Sequence, residues 1–126
     1  DHVMHTNVLA AMRLLPVAAD ALAPMAKLAV VSSRMGSIGL RTATSGWLYR
    51  ASKAALNSVL KDVAIELAGK ALCVSLHPGW VRTDMGGTGA EIDVTTSVRN
   101  MRATVTALTP VQHGAFLNHD GQPLAW

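Results

Sequence analysis

The sequence predicts an α/β fold in which short buried strands alternate with amphipathic helices, and three observations predict it. Hydrophobic residues make up 50% of the 126-residue chain, yet it carries just 3 Trp, 1 Tyr and 1 Phe. The apolar mass is therefore Ala, Val, Leu and Met, as in helix-covered parallel sheets rather than β-sandwiches. Long stretches of helical periodicity alternate with short apolar runs, which implies parallel pairing through right-handed crossovers. At this length the chain is read as one domain, residues 1–126.

From Asp1 to Ala23, residues Val3, Met4, Val8, Ala11, Met12, Leu15, Ala18, Ala19 and Leu22 recur at helical spacing. Pro16 removes a backbone bond and is expected to kink this helix, and Pro24 closes it. Lys27 to Ser32 is too short for a helix and suits a buried strand. Ser32 to Gly46, dense in Ser, Gly and Thr, reads as a loop leaving that strand. Leu48 to Ala68 is helical again, with Ala51, Ala55, Leu56, Val59, Val63 and Leu67 on one side and Lys61, Asp62 and Glu66 on the other. Gly69 stops it. Ala71 to Leu76 is a second buried strand, ended by His77-Pro78-Gly79. Asp84 to Gly89 reads as a mobile glycine-rich loop, and Ile92 to Leu108 as a weaker helix rich in β-branched residues. Gly114 to Asn118 is a candidate third strand before a turn at Asp120-Gly121.

Composition excludes several function classes. The net charge is +3, but the eleven Lys and Arg are scattered singly from Arg13 to Arg102, which argues against nucleic acid. No stretch is apolar for long enough to span a membrane. Asp1-His2 is not a basic leader, and the lone Cys73 sits in an apolar run, so a reduced thiol in a cytoplasmic protein is expected. Five histidines include His2 and His5 at i,i+3, but without a third ligand nearby they predict no metal site. Residue 1 is not Met and the chain starts inside a helical pattern, so a fragment is expected.

The candidate chemistry centres on Tyr49, the single tyrosine, and Lys53 four positions later. On a helix both side chains leave the same face one turn apart. An ammonium beside a phenol stabilises the phenolate, which suits proton transfer. The pattern alone is weak, since most such pairs are solvated helix faces. Val31-Ser32-Ser33-Arg34-Met35-Gly36 leaves a strand at its C-terminal end, where open parallel sheets place ligands. A serine there either orients a substrate oxygen or simply caps a turn. His77 to Asp84 ends the next strand and should lie beside the first loop, unless it is an ordinary strand-to-helix connection.

V-S-S-R-M-G, then Y-R-A-S-K-A-A-L-N, then H-P-G-W-V-R-T-D-M resemble, in that order, the short-chain dehydrogenase/reductases, in particular the C-factor-like and sniffer-like carbonyl reductases. The resemblance implies an NAD(P)-dependent oxidoreductase with Tyr49 as acid/base, Lys53 acting on Tyr49 and holding the nicotinamide ribose, and Ser33 orienting the carbonyl. It implies Asn7 as a fourth member, binding a water that links Lys53 to solvent. Ser33 rather than Ser32 fits because the family pattern S-x-x-G places Gly36 after it. Pro78, Gly79, Val81 and Thr83 match the P-G-x-V-x-T segment that contacts the nicotinamide end. Ser37 to Leu48 is longer than usual, and with Trp47 it is expected to shape the substrate pocket, unless Trp47 only packs against the helix start. Met85 to Gly89 resembles a closing substrate loop, with Trp80 and Met85 as candidate lid contacts or as plain packing.

The resemblance also makes the fold the C-terminal half of a Rossmann-type doubly wound sheet, with about three parallel strands, the fifth to seventh in the order 3-2-1-4-5-6-7. Neither the glycine-rich T-G-x-x-x-G-x-G turn nor N-N-A-G occurs, so the adenosine end of the cofactor lacks its platform and the inner sheet edge should be bare. NADP is slightly favoured over NAD by the resemblance. Helices 1–23 and 48–68 match the family's oligomer interface, implying a homodimer or homotetramer. The competing reading is a non-catalytic fragment that associates through those helices.

Overall fold

The computed structural model describes residues 2–82 and 90–126. The first helix runs as α1 (His2–Met4), a π-helical turn over His5–Leu9, and α2 (Ala10–Asp20). A strand β1 (Ala26–Val31), a 3-10 turn Arg34–Gly36, helix α3 (Trp47–Glu66) and strand β2 (Ala71–His77) follow. Then come β3 (Val81–Arg82), β4 (Ile92–Asp93), helix α4 (Val94–Thr106), a 3-10 turn Pro110–Gln112 and β5 (Ala115–Asn118). The main sheet has the order β1-β2-β5, parallel throughout, with Ala26 opposite Ala71 and Val74 opposite Ala115.

β2 is buried along nearly its whole length because helices cover both faces. Ala71 and Cys73 pack on Leu60 and Ala64 of α3, while Leu72, Val74 and Leu76 meet Leu108 and Leu117, with Met101 and Val105 of α4 packed against them. Each fully buried Leu here contributes about 1.5–3 kcal/mol relative to exposure. The alternation along β2 therefore assigns one face to each helix layer, the doubly wound arrangement expected.

β1 corrects the expectation of a buried strand. Its residues alternate between half-buried and exposed, and Val31 is 53% exposed. Leu28 and Val30 pack toward α3, whereas Lys27, Ala29 and Val31 on the opposite face are exposed, Lys27 donating to Thr106 O at the end of α4, and among the described strands β1 pairs on one edge. The bare inner edge is present among the described residues.

Boundaries shift for local reasons. The first helix ends at Asp20 rather than Ala23, and α2 continues through Pro16; the departure from α-helical bonding lies instead at His5–Leu9, where Ala10 N bonds to His5 O. β1 begins one residue earlier than expected and stops before Ser32, whose N–H still bonds to Leu76 O at 2.7 Å. α3 begins at Trp47 and ends at Glu66 rather than running from Leu48 to Ala68, and β5 begins at Ala115 rather than Gly114. Ile92 is not helical: it pairs with Val81 in β4, and Asp93 caps α4 by accepting from Thr96 N at 2.7 Å.

Candidate active site

The Ser33 loop, the start of α3 and the His77 loop meet at the C-terminal ends of β1 and β2. Ser33 is nearly buried, and its Oγ accepts from Met35 N at 3.1 Å, capping the turn Arg34–Gly36. The capping role and a substrate role are compatible, because a hydroxyl that accepts still has its own proton to donate. Ser32 Oγ is buried without a protein partner.

Gly36 sets the approach of this turn to α3. A Cβ there would lie 2.8 Å from the Lys53 backbone carbon, 2.9 Å from Lys53 Cβ and 3.0 Å from Ala54 N. Only glycine lets the serine turn sit so close to the helix that carries Tyr49 and Lys53. Tyr49 is half-buried in the first turns of α3, and Lys53 Nζ lies 5.8 Å from its ring centroid. The same Nζ donates to Val31 O at 3.3 Å, so Lys53 joins α3 to the end of β1. Burial holds the Lys53 ammonium below the usual lysine range.

Asn7 reaches this cluster through a residue sequence reasoning did not single out. Its Nδ2 donates to Ser52 Oγ at 3.0 Å, and Ser52 Oγ donates to Tyr49 O at 2.8 Å. Asn7 lies in the π-helical turn, a local widening often found at functional positions. Ser52 is fully buried between the two helices.

His77 was visible in the sequence only as part of a loop. In the structure its Nδ1 accepts from Arg34 N at 2.9 Å, tying the serine turn to the end of β2. Burial, then His119, then Arg34 push His77 down to about 4, which keeps the ring neutral and able to accept. Gly79 has φ +87, and a Cβ there would meet Ile92 Cδ1 at 2.8 Å and His119 Cδ2 at 3.0 Å. Pro78 O accepts from buried Ser97 Oγ at 2.6 Å, and Trp80 O accepts from Glu91 N and Ile92 N. Pro78, Gly79 and Val81 follow His77, whose ring meets the serine turn, and α4 and β4 hold this segment in place. Thr83, and the loop Met85 to Gly89, lie outside the described residues. Trp80 is exposed, as is Trp47 at 78%, so Trp47 is not packed against the helix start.

The end of the chain also bears on the site. Ser37 Oγ donates to Ala125 O at 2.6 Å, and Ile38 N and Gly39 N donate to Trp126 O. Trp126 in turn stacks on buried Phe116 at 5.5 Å. Among the described residues no group of three His, Cys, Asp or Glu is gathered for a metal, and no helix is long and apolar enough to cross a membrane.

Comparison with known proteins defines the class to which this arrangement belongs. A family model described as enoyl-(acyl carrier protein) reductase matches residues 1–118. The chain is 40% identical over 101 residues to the C-signal protein of Myxococcus xanthus, covering 79% of this chain and 61% of that one. The structure of the carbonyl reductase Sniffer of Drosophila melanogaster superposes with a TM-score of 0.86 at 41% identity, covering 98% of this chain and 55% of that one. A carbonyl reductase from Pseudomonas aeruginosa in complex with NADP superposes with a TM-score of 0.85 at 35% identity, over 98% of this chain and 54% of that one. The chain belongs to the short-chain dehydrogenase/reductase family. It spans between about half and three fifths of the length of these relatives.

Proposed function

We propose that this chain carries the proton-transfer half of an NAD(P)-dependent carbonyl reductase, with NADP the favoured cofactor. The observation that supports this most directly is Lys53, which stands one turn from Tyr49 on α3 while bonding to Val31 at the strand end that leads into Ser33. The nicotinamide end of the cofactor fits the residues present. Lys53 has ammonium donors beyond the one given to Val31 O, and the Pro78–Val81 segment follows from His77, whose ring accepts from the Arg34 N–H next to Ser33. The adenosine end has no glycine-rich turn in this sequence to receive it.

Held by Lys53 and the Pro78–Val81 segment, the nicotinamide would supply a hydride to the carbonyl carbon. Ser33 O–H donates to the carbonyl oxygen and orients it, and Tyr49 Oη gives that oxygen its proton, so a C=O becomes CH–OH; the reverse sequence oxidises the alcohol. Lys53 holds the ribose hydroxyls and stabilises the phenolate left on Tyr49. Asn7, whose Nδ2 is committed to Ser52, has its carbonyl oxygen for a water that links Lys53 to solvent. Thr83, adjoining the second loop, is assigned to the nicotinamide end by its sequence match. Residues 1–126 act as one partial domain of the family fold.

Exposed Met12, Leu14 and Val17 of α2 and Ile65 of α3 support assembly into a homodimer or homotetramer through these helices. The buried free thiol of Cys73 supports a reducing, cytoplasmic setting. The test of the reaction is Tyr49→Phe in the full chain, assayed with NADPH and an aldehyde. Loss of the acid/base should lower kcat by about 10²–10⁴-fold with melting unchanged. Wild-type turnover in that variant would overturn the assignment.

A further inference from the structure

A hollow of about 250 Å³ opens beside the first turn of α3, lined by Arg41, Ala43, Thr44, Trp47 and Arg50. The stretch of sequence that supplies its lining carries charge of one sign. Between Asp20 and Asp62 the sequence holds no Asp or Glu, yet Lys27, Arg34, Arg41, Arg50, Lys53 and Lys61 all fall in that interval.

The two guanidiniums are positioned but not satisfied. Arg50 Nε donates to Ser45 O at 2.6 Å, and Arg41 Nη2 reaches Met35 O at 3.5 Å. A guanidinium carries five N–H donors, so both forks retain donors, and among the described residues neither has a carboxylate partner. An arginine that served only to fix a turn would not need a second arginine facing the same hollow. Trp47, exposed beside them, adds an apolar wall.

The hollow is built on the same elements as the reaction residues. Arg50 follows Tyr49 in the chain, and Arg41 reaches the carbonyl of Met35, whose N–H donates to Ser33 Oγ. A group held there is therefore attached to the same two elements that present Ser33 and Tyr49.

We propose that this hollow is a substrate-selecting subsite that takes an oxyanion, carboxylate or phosphate, borne by the carbonyl substrate, with Trp47 against the substrate's apolar body. The guanidinium fork matches both groups bidentately. This deepens the reductase reading and rests on it.

The test uses the full chain with NADPH and compares kcat/KM for 4-formylbenzoate and 4-formylphenyl phosphate with that for methyl 4-formylbenzoate, a neutral aldehyde of similar shape. At least one anion should be favoured about tenfold or more, the worth of one charge-assisted hydrogen bond, and the preference should shrink as salt is added. Whether the carboxylate or the phosphate leads identifies which oxyanion the subsite takes. Arg41→Gln and Arg50→Gln should each collapse the anionic-to-neutral ratio through KM, whereas Lys70→Gln, exposed beyond the end of α3, should not. A ratio near unity in the wild type, or one that survives both arginine substitutions, overturns the subsite.

Calorimetric titration of the same two anions, without cofactor, separates this failure from failure of the reductase reading. Binding that is lost in the double arginine variant, with no NADPH oxidised by any form, keeps the subsite and places the failure in turnover by this chain. Absence of binding rejects the subsite whatever the turnover.

Discussion

Replacing Gly36 with alanine tests whether the serine turn is held against α3 by close approach. The new Cβ would stand 2.8 Å from the Lys53 backbone carbon and 3.0 Å from Ala54 N, backbone atoms that cannot rotate away. Restoring an ordinary carbon contact of about 3.5 Å requires turn and helix to separate by about 0.7 Å. Overpacking of this kind costs about 1–3 kcal/mol. The loss of unfolded-state freedom on Gly→Ala returns roughly 0.5 kcal/mol, leaving a net destabilisation of about 0.5–2.5 kcal/mol. With an unfolding entropy of about 2.1 cal/mol/K per residue over 126 residues, the melting temperature should fall by about 2–9 °C. The same displacement moves Ser33 relative to Tyr49 and Lys53, and misplacements approaching 1 Å cost up to about 10²-fold in rate. Melting by far-UV circular dichroism is read beside kcat/KM. Gly69→Ala is the comparator: it has φ +78 and nothing within 4 Å of its added Cβ, so it should lower stability without touching the rate. A Gly36→Ala chain that melts and turns over as the wild type would refute the close-approach argument.

His77 gives a pH dependence. Its folded value, about 4, lies below the 6.5 of a free histidine, so its stability contribution is complete above about 6.5 and is lost as pH falls toward 4. Urea unfolding across that window should show a shallower pH slope in His77→Gln than in the wild type, and equal slopes would dispose of the idea. At the start of α4, Asp93→Ala removes the cap on Thr96 N and should cost about 0.5–2 kcal/mol, with reduced amide protection in the first turn of Val94–Thr106. Unchanged protection there would mean the cap contributes nothing.

The parts legible in the sequence are those written by local periodicity. β2 reads correctly because both its faces are covered, so Ala71 to Leu76 is an apolar run broken by Ser75 alone, whose Oγ donates to Asn57 Oδ1. β1 has a similar apolar signature, yet half of it faces solvent, with α4 meeting its second face at Lys27; composition records what a strand can bury, not what is there to bury it. Tyr49 and Lys53 share a face because a helix repeats every 3.6 residues, and that relation needs nothing beyond the segment itself. β3 and β4, at two residues each, are too short to leave any period.

What the sequence could not show is how these local units are locked together, since each lock joins residues far apart in the chain. Asn7 meets Ser52 across 45 positions, Arg34 meets His77 across 43, and Ser37 meets Ala125 across 88. Each pairs one ordinary polar group with another, and such groups are common at every surface, so no spacing rule selects them. The locks nevertheless converge on the Ser33 turn and the first turns of α3. Ser52 ties the π-helical turn to the carbonyl of Tyr49, His77 fixes the backbone next to Ser33, and the Ala125–Trp126 carbonyls hold the loop that leads to Arg41. A site of this kind is specified twice. Short-range repeats choose which side chains share a face, and a few long-range hydrogen bonds, together with the missing Cβ of Gly36, fix their mutual distance.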